Sequence, residues 1–228
     1  MCEAHLSDAL EDLIRAYKSV RDKPDELCEA LARLEEGHSE EQFYAIREAF
    51  NGKRGGHVER AAWLIYLNKT CYNGLFRTNR SGLFNVPIGR FARPKVLDRA
   101  RIAGASAALR GVTLERRGFE SVLEHAKRGD FVYVDPPYVP VSRTANFASY
   151  SLGAFGLEDQ ARLAQAFREL DRRGCLLMLS NSDSPAVHEL YEGFDVRRIL
   201  APRSISSRGA GRKPIAELVV RNTRRYPR

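Results

Sequence analysis

The four residues Asp135-Pro136-Pro137-Tyr138 combine an acid, two rigid prolines and an aromatic ring. Consecutive prolines fix φ at about −65° and remove two backbone N–H donors, so the carbonyls of Asp135 and Pro136 point in set directions. A carboxylate beside such a carbonyl can accept both hydrogens of an amino group, and a tyrosine ring can stack on a flat partner. The tetrapeptide therefore predicts a site for a planar, amino-bearing ring. The alternative is an ordinary turn, because Asp-Pro and Pro-Pro are common at turns.

The elements that would position this site can be predicted from the surrounding pattern. The apolar run Phe131–Val134 precedes the tetrapeptide and predicts a short buried strand. Ligands collect at the carboxyl ends of strands in open α/β sheets. Strand and helix patterns alternate through this half of the chain, which predicts a parallel sheet flanked by helices. The predicted strands are 112–116, 131–134, 176–180, 194–200 and 215–220, of which the last two are expected to form a terminal pair. The predicted helices are 120–126, 157–172 and 186–191.

The first half of the chain is predicted to be mainly helical. Apolar residues recur at helical spacing over 5–22, with Ser7 placed as a cap, and Trp63 is expected to pack in a core. Residues 71–95 are rich in Gly, Asn, Arg and aromatic residues and predict a β-hairpin whose tip is 78–82. The other predicted elements are helices over 24–36, 40–50 and 57–70 and a flexible loop over 51–56.

Composition restricts the class of protein. The 228 residues are 43% hydrophobic and 29% charged, which suffices for one sizeable core or one core and a small lobe. A net charge of +8 favours an anionic partner such as DNA, although many soluble proteins are basic. There is neither an apolar run of about 18 residues nor a signal-peptide pattern, so we expect a cytoplasmic protein without membrane contact. The scattered cysteines argue against a zinc site or disulfide framework; they are Cys2, Cys28, Cys71 and Cys175.

Five segments together resemble one enzyme family. Asp-Pro-Pro-Tyr is the hallmark of amino-group methyltransferases, and the chain resembles the Dam-like DNA adenine-N6 methyltransferases from about residue 8 to about residue 222. The other matching segments follow in the family's order and are 66–77, 82–90, 179–183 and 203–209. The resemblance implies an α/β, Rossmann-like methyltransferase sheet with an inserted, mainly helical DNA-recognition lobe that carries the β-hairpin. Its catalytic domain would comprise 1–22 and 100–228, and the lobe would comprise 23–99.

The resemblance also implies a reaction. An adenine flipped out of double-stranded DNA would receive a methyl group from S-adenosylmethionine without a covalent enzyme intermediate and without a metal. The implied catalytic residues are Asp135, Pro136, Pro137 and Tyr138, and the implied cofactor-binding residues are Asp8, Phe119 and Asp135. The enzyme would be a monomer, and its role could be solitary, phage-borne or linked to restriction. GATC-like sites are a reasonable first test of its specificity.

The implied DNA contacts fall in three segments. Within the hairpin, Arg suits guanine and Asn suits adenine in the major groove, and flanking Arg residues would meet phosphates. A long loop would pack over the target base, and a basic, serine-rich loop would bind the phosphate backbone. The residues are Tyr72, Asn73, Arg77, Thr78, Asn79, Arg80 and Arg90 in the hairpin, Asn146 and Phe147 in the long loop, and Arg203, Ser204, Ser206, Ser207 and Arg208 in the basic loop. For each of them, an exposed residue with no contact to DNA is the alternative.

Three features of the family are missing. The sequence lacks the basic Trp-and-Gly segment and the Phe-x-Gly-x-Gly loop that together cradle the methionine part of the cofactor. Gly118 stands where the family has an acid before Phe119, although Glu120 could substitute. In the family's sheet the strand before that loop lies beside the Asp-Pro-Pro-Tyr strand, so its loss would leave backbone groups unpaired. We therefore hypothesise an amino-terminally truncated enzyme, or a split enzyme whose cofactor segment comes from a separate chain. In that case the chain alone could be inactive.

Other functions remain open at this point. A non-catalytic DNA-binding remnant would keep the hairpin and the basic loop and would bind DNA in a salt-sensitive manner. An N4-cytosine DNA methyltransferase would use a similar tetrapeptide, although a serine often leads it there. Methylation of RNA or of a protein amide agrees less well with a hairpin that resembles a DNA reader.

Overall fold

The computed structural model describes residues 3–79, 81–139, 155–201 and 215–222. The chain forms two compact units, Met1–Phe119 and Glu120–Arg228. Helices and strands occur in both units, which confirms the predicted α/β class. Within the described ranges, no helix combines the length and the apolar character that crossing a bilayer requires.

A parallel strand pair and five helices make up the described part of the first unit. Strand β1 (His5–Asp8) pairs with β2 (Thr113–Arg116), so that His5 lies opposite Thr113 and Asp8 lies opposite Arg116. A one-turn 3-10 helix, Tyr72–Gly74, follows the fourth helix. The helices are α1 (Glu11–Asp22), α2 (Pro24–Glu36), α3 (Glu40–Asn51), α4 (His57–Thr70) and α5 (Arg99–Ala108).

Local sequence signals explain several helix boundaries. Pro24 opens α2 at a position where its missing N–H costs nothing. Ser39 caps α3, since its hydroxyl accepts a hydrogen bond of 3.1 Å from the amide of Gln42. The predicted helices over 24–36, 40–50 and 57–70 are confirmed, and only the end of α3 differs, by one residue.

The prediction of one helix over residues 5–22 is wrong at its start. His5–Asp8 form a strand, and α1 begins only at Glu11. Parallel pairing with β2 engages the backbone of this strand, and such a long-range contact overrides a helical pattern. Ser7 lies within β1 and caps nothing, while the carboxylate of Asp8 accepts a hydrogen bond of 2.6 Å from the amide of Leu10.

Helix α4 forms the centre of the first unit's core. It contacts α1, α2 and α3, and its leucine and tyrosine side chains are buried among theirs. Burial of one such side chain contributes about 1.5–3 kcal/mol. Trp63 packs against this core and is partly buried. The buried apolar residues of α4 are Ala61, Ala62, Leu64, Tyr66 and Leu67.

A buried arginine ties α4 to α1. Arg60 is 4% exposed and makes a two-pronged contact with the carboxylate of Asp12, at N–O distances of 2.8 and 2.7 Å. The same guanidinium donates to the carbonyls of Phe50 and Arg54 at 3.2 and 3.1 Å. The buried charge is therefore both paired and hydrogen-bonded, as stability requires.

The described part of the second unit is a four-stranded sheet with three helices. The strand order is β3-β4-β6-β5, in which β3 and β4 are parallel and β6 runs antiparallel to both of its neighbours. The predicted parallel sheet is right for β3 and β4, and the predicted terminal pair of 194–200 with 215–220 is confirmed as β5 and β6. The prediction of a parallel sheet is wrong for β6, which runs antiparallel to β4. The elements are α6 (Val122–His125), β3 (Phe131–Val134), α7 (Leu157–Arg173), β4 (Leu176–Ser182), α8 (Pro185–Leu190), β5 (Asp195–Ala201) and β6 (Ile215–Arg221).

Helix α7 packs on β4 and covers one face of the sheet. Its buried residues Leu163, Phe167 and Leu170 recur at helical spacing. The helix ends at Gly174, whose φ of 91° is left-handed and suits glycine. This sharp stop turns the chain directly into β4.

Strand β3 is less buried than the sequence predicts. Val132 is 8% exposed, whereas Phe131 and Tyr133 are 56% and 55% exposed. Because successive side chains of a strand point to opposite faces, the packed face is that of Val132. In the described part of the second unit β3 pairs with β4 alone, so one of its edges has no strand partner there. The prediction of a buried strand is therefore wrong for Phe131 and Tyr133.

Candidate functional site

Side chains of three strands meet where β3 ends. The tetrapeptide Asp135-Pro136-Pro137-Tyr138 follows β3 directly, and β4 runs parallel beside it. The register places Tyr133 of β3, Ser180 of β4 and Glu217 of β6 on the same face of the sheet. We call these three side chains, together with Asp135 and Tyr138, the acceptor site.

A short chain of hydroxyl groups fixes the carboxylate of Asp135. The hydroxyl of Ser180 donates to Oδ1 of Asp135 at 2.7 Å, and the hydroxyl of Tyr133 lies 3.1 Å from Oγ of Ser180. Because Ser180 has a single hydroxyl hydrogen and gives it to Asp135, Tyr133 must be the donor in the second contact. In the described part of the chain Oδ2 of Asp135 stays available as an acceptor. The carboxylate is thus held at one oxygen and offered at the other.

Tyr138 contributes an exposed and neutral ring. Its hydroxyl donates a hydrogen bond to Oε2 of Glu217 at 3.4 Å, and the residue is 39% exposed to solvent. Burial of its hydroxyl end raises the pKa of Tyr138, contact with Ser180 opposes this rise, and the charges of Glu217 and Asp135 add to it. The phenol is therefore uncharged at neutral pH and can stack on a planar ligand.

The backbone around Tyr138 is held on both sides. The carbonyl of Pro137 accepts a hydrogen bond of 2.7 Å from the side chain of Gln160, and the amide of Val139 donates to the side chain of Asn181 at 3.1 Å. Asp135 is exposed while Pro136 is buried. A planar amino-bearing ligand could therefore reach the carboxylate from solvent and lie against a fixed loop.

Three of these residues were not predicted from the sequence. Gln160 is a buried polar residue on the apolar stripe of α7, and Glu217 is an acid in a terminal strand whose other residues before Arg221 are apolar. Either irregularity could have drawn attention to the residue. Tyr133 gave no signal, because aromatic residues are ordinary in strands.

The candidate cofactor residues lie in different parts of the chain. Asp8 ends β1, and its Oδ1 accepts from the amide of Leu10, which fixes the carboxylate at the carboxyl end of a strand. Phe119 begins a 3-10 turn and is half-buried. Glu120, the substitute acid, forms an ion pair with Arg162. Asp8 and Phe119 belong to the first unit, and Asp135 belongs to the second.

The segment predicted as a hairpin folds back on itself through isolated bridges. Cys71 pairs with Ile88 and Thr78 pairs with Phe84, both antiparallel, and neither bridge extends into a named strand. At the tip, Oδ1 of Asn79 accepts from the amides of Ser81 and Leu83, at 2.9 and 3.0 Å. We call residues 71–90 the bridged segment.

Several candidate DNA-binding residues are exposed on this segment. Tyr72 is 40% exposed, and Asn73 has the left-handed φ of 55° that asparagine tolerates. Nε of Arg77 donates to Oδ1 of Asn85 at 3.0 Å. Arg90 is exposed. Arg80, Asn146, Phe147, Arg203, Ser204, Ser206, Ser207 and Arg208 lie outside the described residues.

The bridged segment is anchored to the first unit's core. Phe84 and Val86 are each 2% exposed. The side chain of Asn51 donates to the carbonyl of Phe84 at 3.0 Å and accepts from its amide at 2.8 Å. Asn51, predicted to lie in a flexible loop, is instead the last residue of α3. The exposed tip thus rests on a rigid base.

Comparison with known proteins identifies a family. Residues 2–205 match the model of the D12 class N6 adenine-specific DNA methyltransferases. Type II methyltransferase M.MjaIII of Methanocaldococcus jannaschii is 42% identical over 95% of this chain and 79% of its own length. Type II methyltransferase M1.LlaDCHI of Lactococcus lactis subsp. cremoris is 37% identical over 96% of this chain and 79% of its own length. The DNA adenine methylase of Escherichia coli K12 is 36% identical over 94% of this chain and 77% of its own length.

Proposed function

Since the chain belongs to the D12 class of N6 adenine-specific DNA methyltransferases, we propose that its acceptor site transfers a methyl group from S-adenosylmethionine to N6 of an adenine in double-stranded DNA. One observation carries this proposal. The carboxylate of Asp135 is fixed by Ser180 beside the exposed ring of Tyr138. An acid and a stacking ring in this arrangement suit the amino group and the plane of adenine.

Each residue of the acceptor site has a chemical role in this proposal. Oδ2 of Asp135 and the carbonyl of Pro136 accept the two N6 hydrogens, which increases electron density on the nitrogen. The ring of Tyr138 stacks on the adenine, a contact of about 1–3 kcal/mol. That contact offsets part of the cost of flipping the base, which is about a few kcal/mol. S-adenosylmethionine, when bound, supplies the electrophilic methyl group.

The residues of this chain fit that cofactor only in part. Asp8 offers a carboxylate at the end of β1, where it can accept hydrogen bonds from ribose hydroxyls, and Phe119 offers a half-buried ring. The sequence contains no Phe-x-Gly-x-Gly loop for the methionine part. We therefore assign Asp8 to the ribose and leave the remaining contacts to a segment outside these residues.

We assign sequence reading to the bridged segment, within a recognition lobe that spans 23–99. Arg77 brings positive charge beside the tip and Arg90 brings it to the base of the segment, which the two hydrogen bonds between Asn51 and Phe84 fasten to α3. Because Oδ1 of Asn79 is used by the turn, its Nδ2 is the group that can donate to a base edge. Tyr72, Asn73 and the hydroxyl of Thr78 complete the assigned contacts.

The partner of β3 is a second element of the proposal. One edge of β3 has no strand partner among the described residues, and the strand there reads Phe-Val-Tyr-Val, with none of the charges or prolines that protect exposed edges from pairing. By contrast β5, at the other end of the sheet, carries Asp195, Arg197 and Arg198. An edge like that of β3 is suited to pairing. We propose that a strand of the cofactor-binding segment, from a separate chain, pairs with β3.

The reaction is tested with duplex DNA, S-adenosylmethionine labelled in its methyl group, and the purified chain, to which the cofactor-binding segment is added as a separate polypeptide. Radiolabelled methyl transfer should yield N6-methyladenine, identified after digestion to nucleosides, and Asp135→Ala should reduce the rate on the order of 100-fold or more. Glu158→Gln, which changes an exposed carboxylate of α7, serves as the matched control. Label recovered as N4-methylcytosine would refute the adenine assignment. Salt-sensitive DNA binding without transfer under any condition would instead establish a DNA-binding remnant.

The strand partner is tested separately by hydrogen exchange. The probe is the part of the Methanocaldococcus jannaschii relative that this chain does not match, about a fifth of its length, because the match covers 79%. Added as a separate polypeptide, it should slow amide exchange in β3 and leave the other edge strand, β5, unchanged. Equal exchange in β3 with and without the probe at saturating concentration would contradict pairing.

A further inference from the structure

We propose that Gln160 and Asn181 are positioning residues for methyl transfer. They hold the backbone on both sides of Tyr138 and thereby set the place of its ring relative to Asp135. This inference rests on the proposed function, since positioning has meaning only for a reaction at the acceptor site. Neither side chain would touch the substrate.

Half of the tetrapeptide has no backbone amide. Pro136 and Pro137 lack N–H groups, so two successive residues contribute no backbone donor. Hydrogen bonds from other segments are therefore needed to fix this part of the loop. They come from α7 and β4, whose side chains reach the carbonyl of Pro137 and both backbone groups of Val139.

The two amide side chains form a chain of fixed polarity. Nδ2 of Asn181 donates to Oε1 of Gln160 at 3.1 Å, which leaves Nε2 of Gln160 to donate to the carbonyl of Pro137 at 2.7 Å. Oδ1 of Asn181 accepts from the amides of Val139 and Ser182, at 3.1 and 2.8 Å. Flipping either amide would place donor against donor and acceptor against acceptor. The network therefore specifies amides at both positions.

Burial makes this network difficult to replace with water. Gln160 is 2% exposed and Asn181 is 0% exposed. Ser182, 5% exposed, adds a third bond by donating to the carbonyl of Val139 at 2.6 Å. A buried polar group that loses its hydrogen-bond partner cannot replace it with water and stays unsatisfied. A change in one member should thus shift the loop.

The shift would reach the chemistry through Tyr138. This residue lies between Pro137 and Val139, whose backbones are the anchored points. Loosening either anchor moves the ring and the carbonyl of Pro136 relative to Asp135. Misplacement of reacting groups by about 1 Å can cost on the order of 100-fold in rate.

The experiment compares two substitutions on α7. Gln160→Glu keeps the shape but turns the donor facing Pro137 into an acceptor, and Gln165→Glu makes the same change at an exposed position of the helix. For Gln160→Glu we expect kcat to fall on the order of 100-fold while KM for DNA stays unchanged. Gln165→Glu should leave both parameters as in the parent chain.

A second readout does not depend on activity. In the chain alone, the amide of Val139 should exchange faster in Gln160→Glu than in Gln165→Glu, as followed by nuclear magnetic resonance. If Gln160→Glu prevents folding, Ser182→Ala removes one bond to the same loop and should lower kcat and speed this exchange. A parental kcat in folded Gln160→Glu, or unchanged exchange of Val139, would overturn the assignment. If the parent transfers no methyl group, the proposed reaction fails, and the exchange measurement still decides whether these residues hold the loop.

Discussion

Replacing Arg60 with Met should destabilise the first unit by about 3 kcal/mol, the lower end of the cost of breaking a buried ion pair. Arg60 is 4% exposed and its side-chain partner, Asp12, is 17% exposed. The substitution removes the buried partner of that carboxylate, which keeps only Arg15 at 3.5 Å, and it removes the donor to the carbonyls of Phe50 and Arg54. Met fills much of the same volume, so loss of packing should contribute little.

Urea unfolding followed by tryptophan fluorescence provides the assay. The single tryptophan, Trp63, lies in α4 one turn from Arg60 and packs against the core, so its emission reports on this unit. Arg101→Met is the control, because the Arg101–Asp98 pair is 87% and 30% exposed and should contribute less than about 1 kcal/mol. Asp12→Leu combined with Arg60→Met should recover much of the lost stability. A loss below about 1 kcal/mol in Arg60→Met would refute the importance of this pair.

Three further predictions concern charge. Hydrogen bonding by Arg221 lowers the pKa of Asp195 in the folded chain. The ionised Asp195 therefore stabilises the fold above the ordinary pKa of 3.8, and this stabilisation disappears as the pH falls below that value. Asp195→Asn should flatten the dependence of the urea midpoint on pH in that range. Glu217→Gln should lower the pKa of Tyr138 in a titration of its ring carbon resonance, and an unchanged value would disprove their contact. Arg77→Ala should reduce the slope of log affinity for DNA against log salt by about 0.9, whereas Arg172→Ala, 75% exposed on α7, should not.

The sequence predicted those parts of the fold that depend on neighbouring residues. Helix α2 has helical spacing and an opening proline, and both signals lie within it. Strand β1 has no such signal, since it is a strand only because β2, far along the chain, pairs with it. The exposure of Phe131 and Tyr133 was missed for the same reason, because burial of a strand depends on its partners and the sequence shows only its own residues.

The candidate site divides in the same way. Asp135 and Tyr138 are adjacent in sequence and could be recognised together. Gln160 and Glu217 reach them from α7 and β6 through the packing and the register of the sheet, which no short pattern contains. The tetrapeptide was therefore predictable, whereas the residues that hold it were not.

The contact between Asn51 and Phe84 has a consequence for protein engineering. The two hydrogen bonds resemble those that a neighbouring strand would make, so one side chain replaces a strand in fastening the bridged segment to α3. The attachment at Phe84 therefore does not depend on the residues of the tip. Tips of different sequence and length could be grafted between Arg77 and Phe84 without redesigning the helices beneath them.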